Sequence, residues 1–332
     1  MINHAKPFPF NARITFGGQV GDKETTLECF REAWKHGINF FDTAEVYCSG
    51  QAELALGIVF KELEWERSDF VVCTKLYWGG SGPNDKGLSR KHIFEGMQKS
   101  LGRLQLEYVD VVMAHRYDLA TPIEEIVRAF SDLITRGKAL YWGTSEWSAA
   151  QIESACQTAA RLGLIAPICD QTQYNLLHRQ RVEQEYRDGL LYDKYKYGLT
   201  TWSPLASGIL SGKYNDLIVP EGSRLAFTEN RTARGFREKL STPEGRAEIE
   251  RVENAGQIAS QLGCTMAQFA IAWCLKNENV STVITGASRP EQIAENVKAV
   301  HIVDKITPEL MAKADAIMGN KPDGPQYYSR DV

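Results

Sequence analysis

INFFDTAEVY, residues 38–47, is an apolar run of strand character that stops at Asp42 and reaches Tyr47 five residues later. The pattern recurs downstream. FVVCTK (70–75) ends in Lys75, YVDVVMAH (108–115) in His115 and ALYWGTS (139–145) in Ser145, while APICDQTQ (166–173) carries Gln171 and GLTTWSP (198–204) carries Ser203. VSTVITGAS (280–288) is a seventh run and NARITFGG (11–18) a weaker eighth. Each is followed by a segment of helical period, the pattern of parallel βαβ units. Ile123, Ile126, Val127, Phe130, Leu133 and Ile134, for example, share one helical face. Short strand-to-helix loops suit a doubly wound sheet and a closed barrel equally, but eight units favour the α/β class's (β/α)8 TIM barrel.

Five helix starts read as caps: Thr121 with Glu124, Ser148 with Gln151, Thr242 before Pro243, Thr265 with Gln268, and Ser288 with Glu291. The polar residues ending the runs, near 42, 75, 115, 145, 171, 203 and 286, are spaced regularly until the last interval of 83 residues. Residues from about 207 to 263 are therefore expected to be an insertion before the last strand, a polar loop followed by a long helix, positioned to cover a ligand. The 332 residues would ordinarily suggest two domains, but one barrel spanning 1–332 absorbs them.

Composition narrows the function. Apolar residues make up 43% and charged residues 24%, which excludes disordered, collagen-like and coiled-coil classes. The net charge of −4, with no Lys/Arg run, argues against nucleic acid as a partner. No apolar stretch is long enough for a membrane span, and MINHAKPFPF lacks a signal-peptide core, so a cytoplasmic location is expected. Seven scattered cysteines without a CxxC suggest neither disulfides nor a metal site, and the N-x-S/T strings at Asn230 and Asn279 read as chance. GGQVG (17–21) lacks the dinucleotide fingerprint, and SGILSGKY (207–214) has neither the spacing of a P-loop nor its Ser/Thr.

The active site of such a barrel forms at the C-terminal ends of the strands. Taken singly, His115 is more often a structural histidine, Lys75 could snorkel, Asp42 could cap a turn and Tyr47 could be packing. Asp, Lys and His ending three consecutive strands are a different matter, because each would be costly to bury without a partner or a wet cavity. Lys75 beside Tyr47 is expected to lower the phenol below its usual value of about 10, with Asp42 keeping the lysine charged. His115 adds a second hydrogen bond to a substrate oxygen, and the group suits reversible proton transfer at a carbonyl.

DTAEVY, TKLYWGG, GLSRKHI, LQLEYVDVVMAHR, YWGTSEWS, TWSPLASGILSGKY, FAIAWC and VITGAS followed by EQIAENV together resemble the aldo-keto reductase superfamily. The likeness is strongest to the branch holding the potassium-channel β subunits and their plant, fungal and bacterial relatives, and it runs from about Thr15 to Gly319. The resemblance implies a barrel that binds NADP(H) without a Rossmann domain, with a catalytic tetrad of Asp42, Tyr47, Lys75 and His115 and Tyr47 as general acid. It implies that Ser145 and Gln171 hold the nicotinamide carboxamide, that Trp202 stacks on the nicotinamide, and that Asp42 and Gln19 also meet the cofactor. Ser203, Leu205 and Ser207 match the pyrophosphate loop, and Lys213 and Arg224 match groups of the insertion that close over the cofactor. Gly286, Ala287, Ser288, Gln292, Glu295 and Asn296 match the adenosine and 2'-phosphate site, which implies NADPH over NADH.

Departures from the family's pattern lie at residues 1–14, which are divergent and leave a short first strand with Arg13 at an aligned cofactor position, and at Glu146, where channel subunits have Arg. Some channel subunits also have Asn at the position of His115, so this chain resembles the enzyme-like members. Trp78, Tyr117 and Trp147 are expected to line a pocket for flat or apolar carbonyl compounds. The leading expectation is NADPH-dependent reduction of aldehydes or ketones; the alternative is a cofactor-sensing regulatory subunit of a potassium channel with little turnover. The chain starts almost at the barrel, without a channel-inactivating extension, and a homo-oligomer, a tetramer by resemblance, is expected.

Overall fold

Parallel strands that alternate with helices can bury both faces only if the sheet is covered outside and filled inside, and the chain does this by closing on itself. The computed structural model describes residues 13–15, 23–226 and 231–324. Among them, eight strands close into one parallel barrel in sequence order. They are β1 (Arg13–Thr15), β2 (Phe40–Asp42), β3 (Val71–Leu76), β4 (Val109–Ala114), β5 (Ala139–Ser145), β6 (Cys169–Gln173), β7 (Gly198–Trp202) and β8 (Val280–Thr285). Every expected strand is present. β1 is the short one, three residues paired to β2 and β8, and residues 1–12 lie outside the described residues.

The barrel interior begins with an apolar layer of Phe40, Cys73, Val111, Met113 and Cys169. Side chains alternate along a strand, so the residue two positions on from each points the same way, nearer the C-terminal end. That places Asp42 above Phe40, Lys75 above Cys73, His115 above Met113 and Gln171 above Cys169. The same alternation brings Gly143 and Ser145 of β5 inward, and a Cβ at Gly143 would lie 2.7 Å from the Cys169 carbonyl oxygen. The other faces of the strands pack on the helices, as Val72, Val112 and Trp142 do in the large outer core.

The face of helix Ile123–Thr135 is buried at Ile126, Val127, Phe130 and Leu133 as the periodicity requires. Three of the expected caps form. Ser148 and Thr265 make capping boxes with Gln151 and Gln268, and Thr242 accepts from Gly245 N before Pro243. Two do not. Thr121 donates to Asp118 Oδ2, leaving Pro122 as the cap, and Ser288 N and Oγ bond Gln292 Oε1, leaving Arg289 as the cap.

In the insertion, helix Pro243–Gln261 follows the expected polar loop and buries Ile249, Val252, Ala255 and Ile258. It packs beside Met266–Leu275 and the last helix, Pro308–Met318, among the outer helices of the barrel. A ligand at the mouth is therefore left to the loop half, which leaves directly from the end of β7. Within that loop the chain forms an additional helix, Arg231–Leu240, where the sequence suggested irregular structure.

A buried carboxyl sits in the wall behind the site. Asp170 of β6 is fully buried and accepts from Thr144 Oγ1 at 2.7 Å and Tyr186 OH at 2.9 Å, with no ion pair among the described residues. Burial outweighs these bonds and pushes its carboxyl up to about 6. The folded chain then holds this proton more tightly than the unfolded chain. Its contribution to stability is therefore lost as pH rises from the ordinary carboxylate value to about 6. Denaturant titrations across that window should show Asp170→Asn with a flatter pH dependence than the wild type; parallel curves would remove Asp170 as the cause.

Candidate active site

Asp42, Lys75, His115, Ser145 and Gln171 meet at the C-terminal mouth of the barrel because each ends, or nearly ends, an inward-facing row. Tyr47 reaches them from the loop after β2. It opens a tight turn, Tyr47–Gly50, in which Cys48, Ser49 and Gly50 all take left-handed backbone, with φ of 48°, 53° and 88°. Two non-glycine residues held there store strain of about 1–3 kcal/mol each, which only a firmly packed loop sustains.

Lys75 is wholly buried and makes three contacts: Asp42 Oδ2 at 2.5 Å, the Thr43 carbonyl at 2.7 Å and Tyr47 OH at 3.2 Å. The other oxygen of Asp42 accepts from Gln171 Nε2 at 2.8 Å. Burial is the largest influence and lowers the lysine, but Asp42, joined by Tyr47 and Cys73, more than offsets it and holds Lys75 above its ordinary value.

For Tyr47 the balance runs against the sequence-based expectation. Burial of the phenol is the largest influence, Lys75 lowers the value and Asp42 raises it again, and the net shift is upward. The hydroxyl is thus a neutral O–H at ordinary pH, which makes it a proton donor. Asp42 neutralises much of the lysine's effect. His115 is displaced the other way. Burial first, then Lys75 and Arg116, bring it down to about 2, so the imidazole is neutral. Its ring lies edge-on to Tyr47, with centroids 5.8 Å apart, and its buried Nδ1 has no partner among the described residues.

Two rings and an ion pair complete the rim. Trp78, half-buried, stands 5.1 Å from the His115 ring centroid-to-centroid, and Tyr117 is likewise half-buried. Trp147 is not a lining residue. It is fully buried, edge-on to Tyr117, and backs that ring from the core.

Glu146 has a role that the sequence pattern did not disclose. It follows β5 in left-handed backbone (φ 59°), and its Oε1 accepts from Trp202 Nε1 at 2.9 Å and Gln173 N at 2.6 Å. Arg181 binds its Oε2 at 3.0 Å and its carbonyl at 2.7 Å. Glu146 therefore fixes the indole of Trp202 against the end of β7. Nothing local in SEW announces a left-handed, non-glycine residue.

The residues matched to a cofactor fall along the neighbouring strand ends. Ser145 Oγ donates to the Gln171 carbonyl at 2.9 Å, next to Asp42. After β7, Ser203, Ala206, Ser207 and Gly208 all take left-handed backbone, a tight loop of the kind that gathers amide N–H groups around an anion. A Cβ at Gly208 would lie 2.9 Å from Lys213 Nζ, so the ammonium rests against that loop only because glycine is there. Leu205 is half-buried within the loop, and Arg224 is exposed on the turn Arg224–Ala226. Gly286, Ala287 and Ser288 follow β8, while Gln292, Glu295 and Asn296 lie on helix Pro290–Val297, with Glu295 tied to Gln268 Nε2 at 2.9 Å. Gln19 lies outside the described residues.

Similarity to known proteins agrees with this arrangement. The family profile described as "Aldo/keto reductase family" matches residues 13–318. A Schizosaccharomyces pombe (strain 972 / ATCC 24843) protein named "Putative voltage-gated potassium channel subunit beta" is 52% identical over 96% of this chain and 92% of its own length. Proteins of Arabidopsis thaliana and of Oryza sativa subsp. japonica, each named "Probable voltage-gated potassium channel subunit beta", are 50% identical over 96% of this chain and 94% of theirs. Eight parallel strands closed into a barrel, polar strand ends gathered at one mouth and a match over nearly the whole chain make this protein a member of the aldo/keto reductase family of oxidoreductases.

Proposed function

We propose that the protein is a cytoplasmic NADPH-dependent reductase of aldehydes and ketones, with Tyr47 as the general acid. The observation that carries this reading is the buried chain from Gln171 through Asp42 and Lys75 to the Tyr47 hydroxyl, beside a neutral His115. NADP(H) would be held by Ser145, Gln171 and Trp202 at its nicotinamide end, by the loop at Ser203, Leu205 and Ser207 with Lys213 and Arg224 at its phosphates, and by residues 286–288, Gln292, Glu295 and Asn296 at its adenosine end. The left-handed loop and the ammonium seated on Gly208 fit such an anion. When bound, the cofactor supplies a hydride.

The chain's own residues do the rest. A carbonyl oxygen placed between Tyr47 OH and the His115 ring receives two hydrogen bonds, which strengthen as negative charge gathers on that oxygen. Tyr47 transfers its proton there. Lys75 stabilises the phenolate left behind, and Asp42 keeps Lys75 charged throughout. Trp78 and Tyr117 screen the site from water. NADPH oxidation measured over aldehydes, quinones and sugar-derived carbonyls tests this directly, with turnover of at least one class expected and an inert panel contradicting it.

Gly208→Ala should weaken NADPH binding by about tenfold, because a Cβ strains the left-handed backbone at φ 96° that shapes the loop and pushes Lys213 aside. Fluorescence titration with NADPH reads the effect, and unchanged affinity would remove the loop from the phosphate site.

The names of the similar proteins favour a second reading, that of a cofactor-sensing β subunit of a potassium channel, with which a homo-oligomer would be expected. A stable complex with a channel's cytoplasmic domain, together with negligible turnover across the carbonyl panel, would decide for it.

A further inference from the structure

Arg116 follows His115 and turns its side chain back across the mouth of the barrel. Its Nη1 donates to the His115 carbonyl at 2.5 Å and to Ser145 Oγ at 3.3 Å, and its guanidinium carbon lies 5.8 Å from the centre of the Trp78 ring. These three neighbours belong to the site, so the guanidinium belongs to it too. An arginine has five N–H donors. Only Nη1 is used here; Nε and Nη2 have no partner among the described residues and are not sealed in the interior.

The other charged groups around it have partners of their own among the described residues. Lys75 is paired with Asp42 and Glu146 with Arg181. Asp118, two residues on, accepts from Leu88 N at 2.7 Å, Ala120 N at 2.9 Å and Thr121 Oγ1 at 2.8 Å. His115 is neutral. Among the described residues Arg116 has no carboxylate partner; it is half-buried, with a planar pair of donors free beside an aromatic ring. That is the arrangement that recognises a carboxylate or another oxyanion, since Arg presents parallel N–H groups matched to two oxygens.

We propose that Arg116 is a specificity-determining residue that binds an anionic group on the carbonyl substrate, so that the preferred substrates are aldehydes and ketones bearing a carboxylate. This rests on the reductase reading and deepens it. It concerns the part of the substrate away from the reacting carbon and leaves the roles of Tyr47 and His115 unchanged.

The test compares meta- and para-formylbenzoate with the neutral isosteres meta- and para-formylbenzamide, in the NADPH-loaded wild type and in Arg116→Gln and Arg116→Lys. For at least one isomer the wild type should prefer the carboxylate, and Arg116→Gln should reduce the ratio of kcat/KM values by about ten- to a hundredfold, the size of a hydrogen bond to a charged group. Arg116→Lys should restore part of it. Using a ratio cancels any general disturbance of His115. In the wild type, added salt should slow the carboxylate and leave the amide unchanged. An unchanged ratio in Arg116→Gln overturns the proposal. So does a parallel loss on both substrates with weakened NADPH affinity, which would assign the guanidinium to the cofactor. Calorimetric binding of the formylbenzoates to the NADP+-loaded protein needs no turnover. Arg116-dependent binding without chemistry would leave anion recognition standing while the reductase reading fell.

Discussion

Tyr47→Phe is expected to lower aldehyde reduction by about a hundred- to ten-thousandfold, the range attributed to a positioned general acid, while NADPH affinity stays within twofold or so of the wild type. The substitution removes one oxygen atom. Its contact to Lys75 is the longest of the three the lysine makes, so the Asp42–Lys75 pair survives and the fold is not at risk. Steady-state rates and NADPH titration together read the result, and turnover equal to that of the wild type would end the assignment. The pH profile adds a second reading. Because Tyr47 is shifted above its ordinary value and His115 lies near 2, kcat/KM should be level through neutral pH, falling only on the alkaline side as the phenol ionises. An acid limb centred near the usual histidine value would mean that His115 titrates during catalysis.

Asp42→Ala is expected to affect stability as strongly as activity. Lys75 has no exposed surface, and its other two partners are a carbonyl and a phenol, neither of which supplies a counter-charge. Removing one member of a buried pair costs about 3–5 kcal/mol, because the remaining charge is left without solvent or partner. The lysine can escape by giving up its proton, and then the phenolate left by proton transfer is no longer stabilised. Urea unfolding should locate the loss, and the double variant Asp42→Leu with Lys75→Met should recover much of the stability while remaining inactive. An Asp42→Ala protein as stable as the wild type would show that the pair is not sealed from water.

Most of the site could be read from the sequence because strand geometry is strict. Once INFFD, FVVCTK and VDVVMAH are parallel strands, chain direction fixes which end Asp42, Lys75 and His115 occupy, and the two-residue alternation fixes that they face one another over Phe40, Cys73 and Met113. The features that could not be read depend on neighbours distant in sequence. Thr121 and Ser288 have the right spacing for caps, but Asp118 and Gln292 offer them closer partners. Helix Arg231–Leu240 is rich in Arg and carries Gly235; it is held by tertiary contacts such as buried Leu240 rather than by its own propensity. The direction of the Tyr47 shift depended on how deeply the ring is buried, and the burial of Trp147 on what packs above it.

Transfer of hydrogen from cofactor to substrate is the central claim, and isotope transfer tests it most directly. The protein would be incubated with NADPH carrying deuterium at the transferable position of nicotinamide C4, together with an aromatic aldehyde, and the alcohol analysed by mass spectrometry and NMR. One deuterium on the carbinol carbon per NADPH consumed, with at most about a hundredth as much labelled alcohol formed by Tyr47→Phe in the same time, is the predicted result. NADPH consumption without deuterium in the alcohol, or no alcohol from any aldehyde tried, would contradict it.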